Sequence, residues 1–241
     1  MNKKLLFLLT VLFATYSFGQ NAWKQTQVNG KDLDPARQNV IVKQLYEFDL
    51  NTFKLALQNA PDRFSGLNGI TISIPNVDGK LEQYKVFESS NFEPELQAQF
   101  PEIRSYVGIG IEDPTAYLRF SIAPNGIQSM VLRADKQSEF IEPYTLDKKV
   151  YAVYNSRVRE KGALPFECKT VDTELITNEM IQNRNVASSA QVFKTFRLAL
   201  SCTGEYGIYH GGSVASVLAA MNATMTRVNG VFEKDFSLFF S

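Results

Sequence analysis

The chain predicts an α+β fold: a mainly antiparallel β region followed by a short strand–helix–strand unit of α/β type. Three observations carry this. Between residues 65 and 155, apolar and polar residues alternate in short runs separated by turn signals. Further on, Val214, Val217, Leu218, Met221, Met225, Val228 and Phe232 recur at helical spacing. Between these two patterns lies a polar, small-residue stretch, 178–191, that reads as an exposed linker.

The elements follow in chain order. Lys3 and Lys4 precede an apolar stretch, Leu5 to Phe13, and then Ala14, Thr15, Ser17 and Gly19. A signal peptidase reads charged, apolar and small residues in that order, so residues 1–20 are expected to be a secretory signal peptide. The apolar stretch is shorter than the ~20 residues a membrane-spanning helix needs. No later stretch is long and apolar enough either. The expectation is an extracellular protein that starts near Asn21 and has no membrane span after cleavage.

Residues 21–47 are polar and show no clear period beyond Val40, Ile41, Val42 and Leu45. Asp49 is placed to cap a short helix with Leu50, Phe53 and Leu57 on one face, and Pro61 ends it. Ile70, Ile72 and Ile74 then alternate with Thr71 and Ser73. Asp78-Gly79 signals a hairpin turn into Tyr84, Val86 and Phe87. Val107, Ile109 and Ile111 share one face of a strand that has Gly108 and Gly110 on the other. Leu118, Phe120 and Ile122 repeat the pattern, and Pro124-Asn125-Gly126 turns the chain into Ile127–Leu132. Phe140-Ile141 and Val150–Tyr154 read as further strands, so 65–155 is expected to be a twisted sheet built from hairpins.

After the linker, Phe196, Leu198 and Leu200 alternate as a strand. Cys202–Gly212 reads as a Gly-rich loop, Ser213 as a helix cap, and Phe236–Phe240 as a last strand. A single strand–helix–strand crossover needs further strands to bury both faces, so the chain reads as the first part of a longer protein.

Charge excludes some functions. Lys plus Arg and Asp plus Glu number 25 each, so no global field recruits nucleic acid or acidic lipid. Two cysteines, Cys168 and Cys202, are too few for a disulfide framework, but in an oxidising compartment they can pair with each other.

The C-terminal unit resembles the start of a reprolysin-like zinc metallopeptidase domain, a metzincin. The resemblance rests on Phe196-Arg197-Leu198-Ala199-Leu200-Ser201-Cys202-Thr203-Gly204-Glu205-Tyr206 and on Ala219–Phe240, with Arg227-Val228-Asn229-Gly230-Val231-Phe232-Glu233-Lys234-Asp235 at its centre. Secreted bacterial members carry an upstream propeptide similar to residues 86–132 here, including Phe100-Pro101-Glu102-Ile103, Tyr106-Val107-Gly108 and Asp113-Pro114. The resemblance implies a propeptide-like β-rich domain over 21–177, a linker over 178–191, and a truncated start of a catalytic domain over 192–241. For the complete family member it implies zinc and protein substrates.

The zinc ligands of such enzymes lie on a later helix, in a His-Glu-x-x-His motif that this sequence lacks. Its sole histidine, His210, sits in the Gly-rich loop. A catalytic zinc takes three protein ligands and keeps one position open. No residue of the chain is therefore assigned a catalytic or metal-binding role, and the chain itself is expected to be inactive. Cys168 has three readings: a latency thiol that gives a thiolate to the zinc, a disulfide partner of Cys202, and a free thiol. Arg184, in the linker, is the candidate processing site. Asn222-Ala223-Thr224 matches a glycosylation acceptor but lies in the middle of the helix.

Two other functions fit the pattern. One is an exported β-rich binding or adhesion module, with Trp23, Tyr84, Tyr106 and Tyr117 along its binding face. The other is a degenerate, propeptide-like inhibitor of a related protease.

Overall fold

A computed structural model describes residues 22–28, 33–34, 37, 42–156 and 193–241. The signal peptide, the linker, Cys168 and Arg184 lie outside these residues.

Nine strands form one antiparallel sheet. They are β1 (Trp23–Gln25), β2 (Gln44–Phe48), β3 (Ile70–Pro75), β4 (Leu81–Glu88), β5 (Arg104–Gly110), β6 (Tyr117–Ala123), β7 (Gly126–Leu132), β8 (Glu139–Pro143) and β9 (Val150–Asn155). The spatial order is β1-β2-β9-β8-β7-β6-β5-β4-β3. From β3 to β9 each strand thus pairs with its neighbour in sequence, as the hairpin signals predict. Gly79, at φ +80°, supplies the first turn. At the second, Gly126 sits at φ +114°, and a Cβ there would meet the Tyr151 hydroxyl at 1.9 Å.

The sheet curls into a near-barrel. Its edge strands β1 and β3 are joined by a side chain, with the Trp23 indole N–H donating to the Ser73 carbonyl at 3.1 Å. Inside lies the main core, which includes Ile72, Tyr84, Val86, Tyr106, Leu118, Phe120, Ile127 and Val153. Helix α1 (Leu50–Leu57) adds Phe53 and Leu57 to it. The Asp49 carboxylate accepts from the backbone N–H groups of Asn51 and Thr52 at 3.0 and 3.1 Å, as a cap should.

Three features go beyond the sequence reading. β1 and β2 arise in the stretch without a period, because pairing decides them: β2 pairs with β9, and β1 with β2. A short helix, α2 (Pro94–Gln99), has proline in its first turn, a helix start signal. In β5 the glycine face, not the apolar face, points into the core. A Cβ on Gly108 would meet Val86 at 3.0 Å and Leu118 at 3.2 Å, while Ile109 and Ile111 are half exposed.

The C-terminal unit comprises β10 (Lys194–Phe196), α3 (Gly204–Tyr209), α4 (Val214–Phe236) and β11 (Leu238–Phe240). β10 and β11 pair in parallel, as a crossover through α4 requires. The strand at Phe196 is shorter than the alternation suggests. The expected loop contains α3, capped by Thr203. Ser213 and Ser216 form a capping box at the start of α4. Among the described residues no helix is long and apolar enough to cross a membrane.

Candidate functional site

The two units meet where α4 lies on the outer face of β5, β6 and β7. Alternation along β6 sends Leu118, Phe120 and Ile122 into the core, so Tyr117, Arg119, Ser121 and Ala123 face outward. On α4 the residues buried against the sheet are Ala219, Asn222, Ala223, Thr226, Asn229 and Gly230, one helical stripe of small and polar side chains. This corrects the sequence expectation. The apolar stripe is real, but it is not the face that docks: Val214 is 69% exposed and Met221, Met225 and Phe232 are only partly buried. With Leu96, Leu198 and Leu200, parts of that stripe line a groove of about 190 Å³.

The centre of the contact is Arg119, whose side chain is fully buried. Its guanidinium donates to Ser89 Oγ at 2.9 Å, to the Thr226 carbonyl at 3.3 Å and to Asn91 Oδ1 at 3.5 Å. Glu233, on the last turns of α4, lies 3.7 Å from Arg119 and accepts from Arg63 at 2.7 Å. It also accepts from the Tyr117 hydroxyl. Burial pushes that hydroxyl up to about 12, so it remains a donor at neutral pH. Burial also pulls the Arg119 guanidinium down from its ordinary value, with Glu233 opposing the shift. Arg63 lies over the rings of Phe64, Phe193 and Phe239, at 5.1, 5.2 and 5.9 Å.

An amide chain continues from Arg119. Asn91, before α2, donates to Asn222 Oδ1 at 2.9 Å and to Thr226 Oγ1 at 2.8 Å. It accepts from Asn229 Nδ2 at 2.9 Å. Asn229 then donates to the Phe240 carbonyl at 2.8 Å and accepts from the Phe240 N–H at 2.9 Å, satisfying β11 as a neighbouring strand would. Close approach requires Gly230, where a Cβ would meet Arg119 Cγ at 2.8 Å and Met130 Cε at 3.1 Å.

A second ionic group flanks the first. Glu142 accepts from Arg227 of α4 at 2.6 Å, from Tyr154 at 2.6 Å and from Arg37. Burial raises the Glu142 carboxyl, but Arg227 and Arg37 outweigh burial and hold it below its ordinary value. A third group, Arg133 with Glu82, Asp113 and Glu139, belongs to the sheet alone.

These clusters build an interface, since the Glu142 and Glu233 carboxylates are both occupied by arginines. Among the described residues no three His, Cys, Asp or Glu side chains stand together as metal ligands. His210 ends α3, with its ring 4.3 Å from Tyr206 and 4.9 Å from Tyr209. Cys202 is exposed. Asn222 is buried in the docked face, out of reach of a glycan. Trp23, Tyr84 and Tyr106 lie in the core and Tyr117 in the docking contact, so these four aromatics do not form an exposed binding face. Sequence reasoning missed Arg119, Asn91 and Glu233 as a group. A charged residue amid the hydrophobic alternation of β6 was the available signal.

The fold and contact define a curled β sheet that grips a strand–helix–strand unit through a buried polar face. Residues 192–241 match the model of the metallo-peptidase family M12B, reprolysin-like. The C-terminal unit is thus similar to a metallopeptidase family, which is zinc-dependent and acts on proteins. No curated protein and no solved structure matches the chain.

Proposed function

We propose that this chain is the N-terminal part of a secreted zinc endopeptidase: a propeptide-like β unit followed by the opening strand–helix–strand of the catalytic domain. The β unit serves to fold that domain and keep it latent. The observation that carries this reading is that the family-matching segment is the segment the sheet grips. A buried, hydrogen-bonded polar face gives such a grip one register and orientation.

The residues of this chain do not fit a catalytic zinc. A single histidine and no group of three candidate ligands among the described residues fall short of the three protein ligands required. In this reading the chain on its own carries no peptidase step.

Two measurements test the reading. Nucleotide sequence beyond the Ser241 codon is expected to continue in frame to a His-Glu-x-x-His; a stop codon there overturns it. Purified 21–241 is expected to hold no stoichiometric zinc and to leave a denatured protein substrate intact. Chelator-sensitive cleavage by that protein refutes the inactive assignment. Export is checked separately, by finding an N-terminus near Asn21 on secreted material.

A further inference from the structure

Among the described residues, the polar contacts that dock α4 come from residues 63–142 on one side and 222–233 on the other. We infer that the outer face of the sheet is a recognition surface for α4 as a separate partner, with Arg119 and Asn91 reading the helix, so that the two units stay bound after the connection is cut. This rests on reading the sheet as a unit that acts on the C-terminal unit, and it adds what is recognised and what holds it.

The partner's chemistry is specific. An α-helix must present Asn222, Thr226, Asn229, Gly230 and Glu233 on one face, spaced as a helix repeats. Asn91 uses both its donor and acceptor sides on three of them. Arg119 reaches a fourth, Glu233, and its stem passes where any side chain at position 230 would sit. A helix without the carboxylate leaves the Arg119 charge buried and uncompensated, and one with a bulky residue at 230 clashes with its stem, so both bind at a cost. Selection against wrong helices is thus built into the sheet side.

Asn91 also acts beyond the helix. It holds Asn229 in the orientation that satisfies both main-chain groups of Phe240. The sheet unit thereby helps complete β11 without touching its backbone. Cutting the chain removes none of this, so a cut alone does not release the partner.

The test places a site for a sequence-specific protease within 178–191 of the full chain, cuts it, and follows both fragments by size exclusion and native mass spectrometry. The expected result is a 1:1 complex that persists after complete cutting. Asn91→Ala, on the sheet side, is expected to weaken it about tenfold, the cost of stranding buried amide partners. Glu233→Lys, on the helix side, places a third cation beside Arg63 and Arg119 and is expected to abolish association. Because the two changes lie in different units, misfolding of one cannot account for both losses. Fragments of the unsubstituted chain that part on cutting overturn the inference, and so does a complex indifferent to both substitutions. Either result leaves the peptidase reading to its own test, the reading frame beyond Ser241.

Discussion

The two faces of the one sheet hold their partners by different means. The inner face grips α1 with rings: Phe120 stacks on Tyr106 at 4.8 Å and meets Phe53 edge-on at 5.9 Å. The outer face grips α4 mainly with an arginine, a glutamate and three asparagines, beside a small apolar cluster of Ile103, Ala123 and Ala219 with Leu218 packed on it. Apolar contacts are forgiving in detail and additive in area, so the inner face contributes most of the stability. Buried ion pairs offset little more than their own desolvation, and they punish any missing member. The difference teaches that β6 divides its labour: alternate residues build a core, and those between them select a partner.

Four measurements sharpen or break that comparison. The largest expected effect is on the inner face. Phe120→Ala should destabilise the whole sheet by about 3–5 kcal/mol in urea unfolding, from lost burial and the cavity left behind. A change confined to α4 would reverse the assignment of the two faces.

Glu233→Ala tests the outer face. Stripping the carboxylate from the fully buried Arg119 should cost about 3–5 kcal/mol, at the upper end only if no water reaches the guanidinium. The loss should show as faster amide exchange in α4, with the protection of β3, β4 and β9 little changed. Uniform loss of protection would mean the faces are one cooperative unit.

Gly230→Ala is milder. The added methyl meets Arg119 Cγ and Met130 Cε, and overpacking of this kind costs about 1–3 kcal/mol. Alanine's helix propensity returns about 1 kcal/mol. A net gain in α4 protection would show that the close approach at Gly230 is dispensable.

The smallest effect is a pH dependence. The Glu142 carboxyl is held below its ordinary value in the folded chain. Its contribution is therefore fully present above the unfolded glutamate value, about 4.3, and is lost as pH falls through the lower folded value. Denaturation curves from pH 6 to 3 should show that decline, and Glu142→Gln should flatten it. An unchanged slope in the variant would assign acid sensitivity elsewhere.

Much of the β unit was legible in the chain. The turns at Asp78-Gly79 and Asn125-Gly126, the cap at Asp49 and the alternation along β3, β6 and β7 are local signals that depend on neighbours in sequence. The faces were less legible. Alternation puts Val107, Ile109 and Ile111 on one face without saying which face is inside; it is Gly108 that points inward, because Val86 and Leu118 leave no room there for a side chain. The candidate site was barely legible. Arg119 stands 114 residues before its carboxylate partner, and no sequence period links the two.

By itself the sequence determined the hairpin strands from β3 to β9, the caps at Asp49 and Ser213, that α4 is a helix with one apolar stripe, and that no His-Glu-x-x-His is present. Each of these follows from the residue and its near neighbours: φ preference at glycine, side-chain period, ligand spacing. Only the tertiary structure decided which side of α4 docks. A period shows that a helix has two unlike sides, but not which partner waits for each. Here the waiting surface carries a cation on β6 that docking buries. The desolvation cost of that charge is offset by carboxylate, amide, hydroxyl and carbonyl oxygens, so the small polar side of α4 turned inward and its apolar stripe was left half exposed.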